Sequence, residues 1–270
     1  MALTIAGCRV SEMREGVPLI NGTLRIWNQI GRGTGAQAIS LRIVEFAPGL
    51  SPGIRNGDCD EILYVLNSLE RGHPVRLSER SERTAEGESS PKILIDGWAY
   101  DLGPDTGIYI RPHETFAIYN PGPDSIVLVS SRCPEPNTIN EFVTPLTAPN
   151  SDPAPSPLVR LADRPAQPTA DRWYRVMVDD EIGSTKATQF VGSIPPGRAP
   201  DHFHQYEEVL FILKGEGRMW AGETNTPIAR GSCIYLPKEQ VHCVENTGKD
   251  ELRLLGVFYP AGSPSVRYDA

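Results

Sequence analysis

The chain repeats itself, and this repeat limits the folds open to it more than any other feature. Strand-like segments with alternating apolar and polar residues recur in both halves, and the 25 Gly and 25 Pro favour short strands joined by tight turns. Repetition of one unit predicts two copies of one all-β domain. The matching pairs of segments are 60–66 with 207–213, 107–112 with 231–237, and 119–122 with 245–248.

A proline-rich stretch separates the two copies. Prolines stand at positions 145, 149, 153, 155, 157 and 165, and this stretch has no apolar periodicity. Such a composition is typical of an extended connector. We therefore predict an N-terminal domain over 1–145, a linker over 146–167 and a C-terminal domain over 168–270.

Charge and composition exclude several classes of function. The net charge of −8, with no basic stripe, argues against a nucleic-acid partner. No run approaches the length of a membrane span, and the first eight residues lack the features of a signal peptide. The five cysteines are scattered and form no C-x-x-C pair, which favours buried free thiols. We expect a soluble cytoplasmic protein without a membrane partner.

The second copy carries a pattern of metal ligands. Because side chains alternate along a strand, His202, His204 and Glu208 share one face, whereas Glu207 points to the other. A neighbouring strand with His242 can supply a fourth ligand. Imidazoles and a carboxylate together suit one divalent transition metal, such as Fe, Mn, Ni, Co, Cu or Zn.

The first copy lacks this pattern. An ungapped alignment of Glu61 with Glu208 puts Arg55 and Gly57 where the two histidines stand, so only the carboxylate is kept. A salt bridge between Glu61 and Arg55 is the expected replacement, and His113 is interpreted as a surface residue in a turn. The first copy also carries a polar insertion over 69–92, which is typical of a solvated loop.

The ligand segment resembles the first motif of the cupin superfamily. Four residues separate Gly197 from His202, three separate His204 from Glu208, and six lead on to Gly215. The first spacing is one residue shorter than is usual in the family.

A second cupin motif follows in the same copy. Gly231, Pro237, His242 and Asn246 match it position for position. Glu239 stands where the family has a glycine, which raises the question of the turn's conformation.

The resemblance is specific over 187–258 and weaker over 39–130, so the chain is similar to a bicupin with a degenerate first half. It implies two tandem cupin barrels, each a double-stranded β-helix or jelly roll, with the metal inside the second. It also implies that His202, His204, Glu208 and His242 are the ligands, and paired cupins of this kind commonly form homodimers.

Four protein ligands leave one or two metal positions open, which predicts a catalytic site. The favoured reaction is that of quercetin-dioxygenase-like cupins, in which Glu208 takes a proton from an enolic, phenolic or small organic-acid substrate. The first alternative is a metal-dependent isomerase or lyase acting on a keto acid or sugar derivative. The second is a cupin that binds a ligand without turnover. Oxalate-decarboxylase-like bicupins carry intact sites in both halves, and ureidoglycine-aminohydrolase-like bicupins use a different ligand set, so both rank lower.

Apolar residues on the ligand face predict a pocket for an aromatic molecule or a small organic acid. We expect Arg198, Tyr206 and Tyr235 to bind this substrate. Arg198 would bind a carboxylate through both of its terminal nitrogens.

Overall fold

The computed structural model describes residues 2–66, 90–137, 141–149, 152, 155–266 and 268–269. Most of the insertion predicted over 69–92 therefore lies outside the described residues. Within them, the helical elements are short 3₁₀ turns at Arg32–Thr34, Leu161–Asp163 and Asp180–Ile182. All other regular structure is β-strand, so the all-β prediction is confirmed.

The first half of the chain contributes fourteen of the described strands. They are β1 (Leu3–Ile5), β2 (Cys8–Glu12), β3 (Leu19–Asn21), β4 (Leu24–Ile30), β5 (Leu41–Phe46), β6 (Gly49–Leu50), β7 (Gly53–Arg55), β8 (Asp60–Val65), β9 (Lys92–Ile95), β10 (Trp98–Asp101), β11 (Thr106–Ile110), β12 (Thr115–Asn120), β13 (Ile126–Cys133) and β14 (Glu141–Val143).

The second half contributes the remaining described strands. They are β15 (Leu158–Arg160), β16 (Gln167–Thr169), β17 (Arg172–Val178), β18 (Thr188–Ile194), β19 (Gly197–Arg198), β20 (His202–Phe203), β21 (Glu207–Lys214), β22 (Glu216–Ala221), β23 (Thr224–Ala229), β24 (Ser232–Leu236), β25 (His242–Asn246), β26 (Leu252–Tyr259) and β27 (Tyr268–Asp269).

These strands form two barrels, each made of two facing antiparallel sheets. In the first barrel one sheet runs β15-β11-β8-β13-β5-β4-β3 and the other runs β10-β9-β12-β7-β14. In the second barrel the sheets run β1-β2-β24-β21-β26-β18-β17-β16 and β23-β22-β25-β20-β27. Each barrel encloses its own cluster of buried apolar side chains. This is the predicted tandem arrangement of cupin barrels.

Matching hydrogen bonds confirm the repeat at atomic detail. The Asn120 side chain donates to the carbonyl oxygens of Phe46 at 3.0 Å and Asp124 at 2.8 Å. The Asn246 side chain donates in the same way to Ile194 and Asp250, both at 2.8 Å. Equivalent asparagines therefore close equivalent turns in the two barrels.

The two barrels exchange strands. Strand β2, from the start of the chain, pairs with β24 of the second barrel. Strand β15, which lies within the predicted linker over 146–167, pairs with β11 of the first barrel. Each barrel therefore includes a strand from outside its predicted domain. The domain boundaries at 145 and 168 stay predictions.

A third apolar cluster joins the barrels, with members from both halves such as Trp27, Phe211 and Leu255. Glu207 lies at this contact and accepts backbone hydrogen bonds from Gln37 at 2.8 Å and Ala38 at 2.7 Å, both in the first half of the chain. The face opposite the histidines therefore joins the barrels.

All five cysteines are buried free thiols, as predicted. In the part of the chain that the structure describes, no helix has the length and apolar character needed to cross a membrane.

Candidate metal centre

Three histidine side chains converge inside the second barrel. Strands β20 and β25 are antiparallel neighbours, and their register places His202 directly opposite His242. His204 follows on the same face, so one ring nitrogen of each histidine lies within 4.8 Å of one from each of the others. The ring centroids are 4.6 to 5.1 Å apart. Alternation along the chain puts His202 and His204 on one face, and the pairing of β20 with β25 adds His242, as predicted.

Backbone carbonyl groups orient two of the rings. Nδ1 of His202 lies 3.0 Å from the carbonyl oxygen of Pro200, and Nδ1 of His242 lies 2.8 Å from that of Gln240. A carbonyl oxygen can only accept, so each Nδ1 carries the proton and each Nε2 presents its lone pair. This is the tautomer that a metal-binding imidazole needs.

Burial keeps the imidazoles neutral. Desolvation, together with the neighbouring histidines, lowers the pKa of His204 to about 3, and burial lowers the pKa of His242 to about 4. Neutral imidazoles are the form that binds a metal, so these two side chains release no proton on binding at neutral pH.

Glu208 lies beside the histidines. Its Oε2 is 3.4 Å from Nε2 of His204, and the residue is 5% exposed. Burial alone raises the pKa of this carboxyl group to about 8. Its atoms are not within the 4.8 Å group that the three histidines form, although the side chain lines the same cavity.

Tyr206 is the predicted substrate residue that the structure places at the site. Its ring stacks on His204 with centroids 4.7 Å apart and on Phe258 with centroids 4.6 Å apart. The Tyr206 ring therefore packs against the face of the His204 imidazole and also lines the cavity.

A cavity of about 140 Å³ opens onto the histidines. Its walls are mostly apolar, and within the described residues the ionisable side chains that line it, besides the histidines and tyrosines, are Arg172 and Glu208. An engineered cavity of about 150 Å³ holds a molecule the size of benzene, so this space suits a small ligand. The apolar wall residues are Trp173, Tyr174, Phe190, Ile194, Ala199, Leu210, Leu236, Val244, Leu254 and Pro264.

The structure does not place Arg198 in this cavity. Its guanidinium group lies 4.0 Å from the ring centre of Trp220 and binds Asp201 at 2.9 Å. Its Nε also donates to Sγ of Cys243 at 3.3 Å. Because Asp201 directly precedes His202, these contacts fix the loop that carries the first ligand, and the prediction of a substrate contact is corrected.

Tyr235 also lies elsewhere. Its hydroxyl group donates to Glu207, and its ring belongs to the cluster between the barrels. The register pairs Leu236 with Glu208, so the neighbouring residue Leu236 faces the cavity and Tyr235 points away. Its prediction as a substrate residue is therefore corrected.

The turn at Glu239 keeps the geometry of the glycine that it replaces. Glu239 has a φ angle of 64°, in the left-handed region, and its N–H donates to the carbonyl oxygen of His204 at 2.7 Å. His113 occupies the corresponding turn of the first barrel with a φ of 69°. Through this hydrogen bond, the turn that precedes His242 is attached to the backbone of His204.

The first barrel fills the corresponding space with other side chains. Its register pairs Ile54 with Phe116 as that of the second pairs His202 with His242. Both residues are about 1% exposed. Arg55, which the ungapped alignment put at the first histidine, instead pairs with Glu141 on the surface.

An arginine, rather than a metal site, faces the carboxylate of the first barrel. Arg42 binds Glu61, and Ser130 lies between them with hydrogen bonds of 2.8 and 2.7 Å. The predicted partner Arg55 is therefore wrong. By strand register, Arg42 and Ser130 correspond to Phe190 and Gly256 of the second barrel.

Sequence reasoning missed two features of the site. A Cβ atom on Gly256 would lie 2.3 Å from the Phe190 ring, so this glycine allows the ring to close one wall of the cavity. Arg172, at the start of β17, was not recognised as a lining residue. A comparison of the two copies could have found both residues. Gly256 stands where the first copy has Ser130, and Arg172 stands where it has Leu24.

Comparisons with known proteins agree with this geometry. A family model described as a cupin domain matches residues 190–258. Auxin-binding protein 1 of Arabidopsis thaliana is 36% identical over 73 residues, which cover 24% of this chain and 37% of that protein. An oxalate-binding protein of Thermotoga maritima is 32% identical over 85 residues, which cover 30% of this chain and 70% of that protein.

The chain spans only 37%, 56% and 43% of the first three curated relatives that it matches. Among solved structures, a deletion mutant of Bacillus subtilis oxalate decarboxylase superimposes with a TM-score of 0.67 at 12% identity, over 93% of this chain and 76% of that chain. At this identity the likeness is one of fold.

Proposed function

Since this chain belongs to the cupin superfamily and folds as a bicupin, we propose that it is a metal-dependent enzyme whose second barrel acts on a small organic acid. The reaction that we propose is a dioxygenation. The observation that carries the proposal is the convergence of three imidazoles and one buried carboxyl group on a cavity of about 140 Å³.

The residues present fit a divalent transition metal. We propose His202, His204, Glu208 and His242 as its ligands, with the identity of the metal set by cellular supply. Two of the imidazoles are held neutral by burial, and two have Nδ1 on a backbone carbonyl oxygen. A metal bound there would polarise adjacent oxygens of a chelated substrate and, if redox-active, exchange electrons with O₂.

The chain's own groups have separate tasks in this proposal. Burial raises the pKa of Glu208 to about 8, and a bound cation would favour the ionised carboxylate, which accepts the proton of the substrate's enolic or phenolic hydroxyl group. The apolar walls exclude water, which strengthens the electrostatic interactions inside the cavity. Tyr206 holds the His204 ring in place through stacking.

The composition of the cavity favours dioxygenation over isomerisation or elimination. Those reactions need a base that moves a proton beside the metal. Among the described lining residues, Glu208 is the carboxylate, and no lysine accompanies it. An isomerase or lyase must also deliver a proton at a second atom, and the described lining residues offer no second carboxylate and no lysine for this step. The volume also favours a small acid over a substrate as large as a flavonol.

A second candidate function is binding without turnover. It is supported by the names of two relatives, an auxin-binding protein and an oxalate-binding protein, which describe binding rather than catalysis. The same cavity would serve it. Formation of a homodimer and a cytoplasmic location stay predictions from the sequence.

Oxygen-electrode assays test the proposed reaction. We expect the protein, loaded in turn with Fe, Mn, Ni, Co, Cu or Zn, to consume oxygen with at least one of catechol, acetylacetone or a small 2-hydroxy acid, and only with a redox-active metal. The Glu208→Gln variant should lose at least about 100-fold in rate, since it can neither accept the proton nor bind as an anion.

The other outcomes separate the alternatives. Oxygen-independent conversion of a keto acid would favour the isomerase or lyase. Calorimetric binding of a small acid, with no conversion in any metal form, would favour the binding protein. Either result would overturn the dioxygenase.

A further inference from the structure

Arg172 lines the cavity from the inward face of its strand. It opens β17, opposite Thr169 at the end of β16. Because side chains alternate, Arg172 shares a face with Tyr174 and Val176, which pack inside the second barrel. Arg172 and Tyr174 both line the cavity onto which the histidines open.

A single nitrogen of the Arg172 guanidinium group makes a hydrogen bond within the described residues. Its Nε donates to Oδ1 of Asp171 at 2.9 Å, and the side chain is 19% exposed. Across the described ranges, neither terminal nitrogen of Arg172 has a hydrogen-bond acceptor. A planar pair of donors is thus left available at a mostly apolar cavity, which is the geometry that binds a carboxylate through two hydrogen bonds.

The first barrel supplies an internal control. By strand register, Leu24 corresponds to Arg172, because it opens β4 opposite Asn21 as Arg172 opens β17 opposite Thr169. Leu24 is fully buried in the core of its barrel. The fold therefore does not need a cation at this position, and the cation occurs in the barrel that has the histidines.

We propose that Arg172 binds a carboxylate group of the ligand and so selects small acids that carry one at the end remote from the chelating oxygens. This rests on the proposed function, in which the histidines hold the metal that binds the chelating end. The ligand would then span the cavity as a 2-oxo dicarboxylic acid does, with one end at the metal and the other at Arg172. Within the described lining residues, Arg172 is the one cationic side chain that could do this.

Calorimetry in oxygen-free buffer tests the proposal without relying on turnover. The probes are oxaloacetate, 2-oxoglutarate and 2-oxoadipate, each compared with its analogue in which an amide replaces the remote carboxylate. The protein is loaded with zinc. At one chain length or more, we expect the acid to bind roughly tenfold or more tightly than its amide.

Arg172→Gln should bring the ratio of the acid's affinity to the amide's close to one, while zinc content stays at the wild-type value. Arg172→Lys should keep part of the preference, because it keeps the charge and loses the paired donors. Arg218→Gln is the matched control and should leave the ratio unchanged, because Arg218 is exposed on β22, where it binds Asn225.

Three outcomes would overturn the proposal: no preference for the acid at any chain length, no binding of any probe, or a preference that Arg172→Gln retains. Loss of zinc from the wild-type protein would instead contradict the proposed metal centre. In that case the acid and amide probes, titrated into the metal-free protein, still show whether Arg172 discriminates between them.

Discussion

Replacing His202 and His242 together by alanine should remove the metal from the protein and abolish turnover. Each histidine supplies one imidazole of the cluster, and the two are opposite neighbours in the sheet. With two of four proposed ligands gone, we expect affinity for the metal to fall by at least about 1,000-fold, since losing even one outer-shell partner of a ligand costs about 10- to 100-fold. Elemental analysis of the purified variant measures this directly.

The first barrel provides a version of this experiment that protects the fold. His202→Ile/His242→Phe installs the residues that the first barrel uses at the corresponding positions, Ile54 and Phe116. Because those side chains pack fully buried in the same architecture, this variant should fold as a metal-free protein with an intact circular-dichroism spectrum.

His113→Ala is the matched control for both variants. This histidine is 73% exposed and pairs with Asp58 on the surface of the first barrel, so its loss should change neither metal content nor turnover. A double variant that keeps stoichiometric metal would contradict the assignment of these ligands.

Replacing Arg42 by methionine should destabilise the protein by about 3 to 5 kcal/mol. Arg42 and Glu61 are about 2% and 1% exposed, and the carboxylate would remain buried without its cation. Breaking a buried pair on one side costs this much because the remaining charge has lost both water and partner. Urea-induced unfolding, followed through the first transition, gives the free energy.

Two further variants identify the cause. Arg42→Met/Glu61→Met removes both charges and should recover most of the loss. Arg55→Met breaks the exposed pair with Glu141, which is worth less than about 1 kcal/mol. If Arg42→Met lowered the free energy of unfolding as little as Arg55→Met, the account of the buried Arg42–Glu61 pair as the replacement for a metal site in the first barrel would be contradicted.

The parts of the fold that follow local rules were predictable. Strand alternation separates Glu208 from Glu207, and the structure indeed turns Glu207 toward Gln37 of the other barrel. The repeat predicted two equivalent barrels, and Asn120 and Asn246 make equivalent hydrogen bonds in them.

The partner of Glu61 was not predictable from sequence spacing. An ungapped alignment is one residue out of register here, because 12 positions separate Gly49 from Glu61 but 11 separate Gly197 from Glu208. Arg55 is therefore displaced to the surface. Arg42 reaches Glu61 across strands β5, β13 and β8, which is a tertiary contact that no local pattern encodes.

The residues that shape the cavity depend on strand pairing in the same way. Tyr235 and Leu236 are adjacent, and either side chain could line an apolar cavity. Only the pairing of Leu236 with Glu208 shows that Leu236 is the one that faces the cavity. Arg172 precedes the ligand segment by 30 positions, and only the barrel's closure brings it to the cavity.

The most direct measurement of the central claim is anomalous diffraction from a crystal of the protein loaded with one transition metal, collected at that metal's absorption edge. We expect one peak per chain, about 2.0 to 2.2 Å from a nitrogen of each of His202, His204 and His242 and from an oxygen of Glu208. No peak is expected at Arg42 and Glu61. A peak outside the second barrel, or none at all, would contradict the metal centre proposed for this chain.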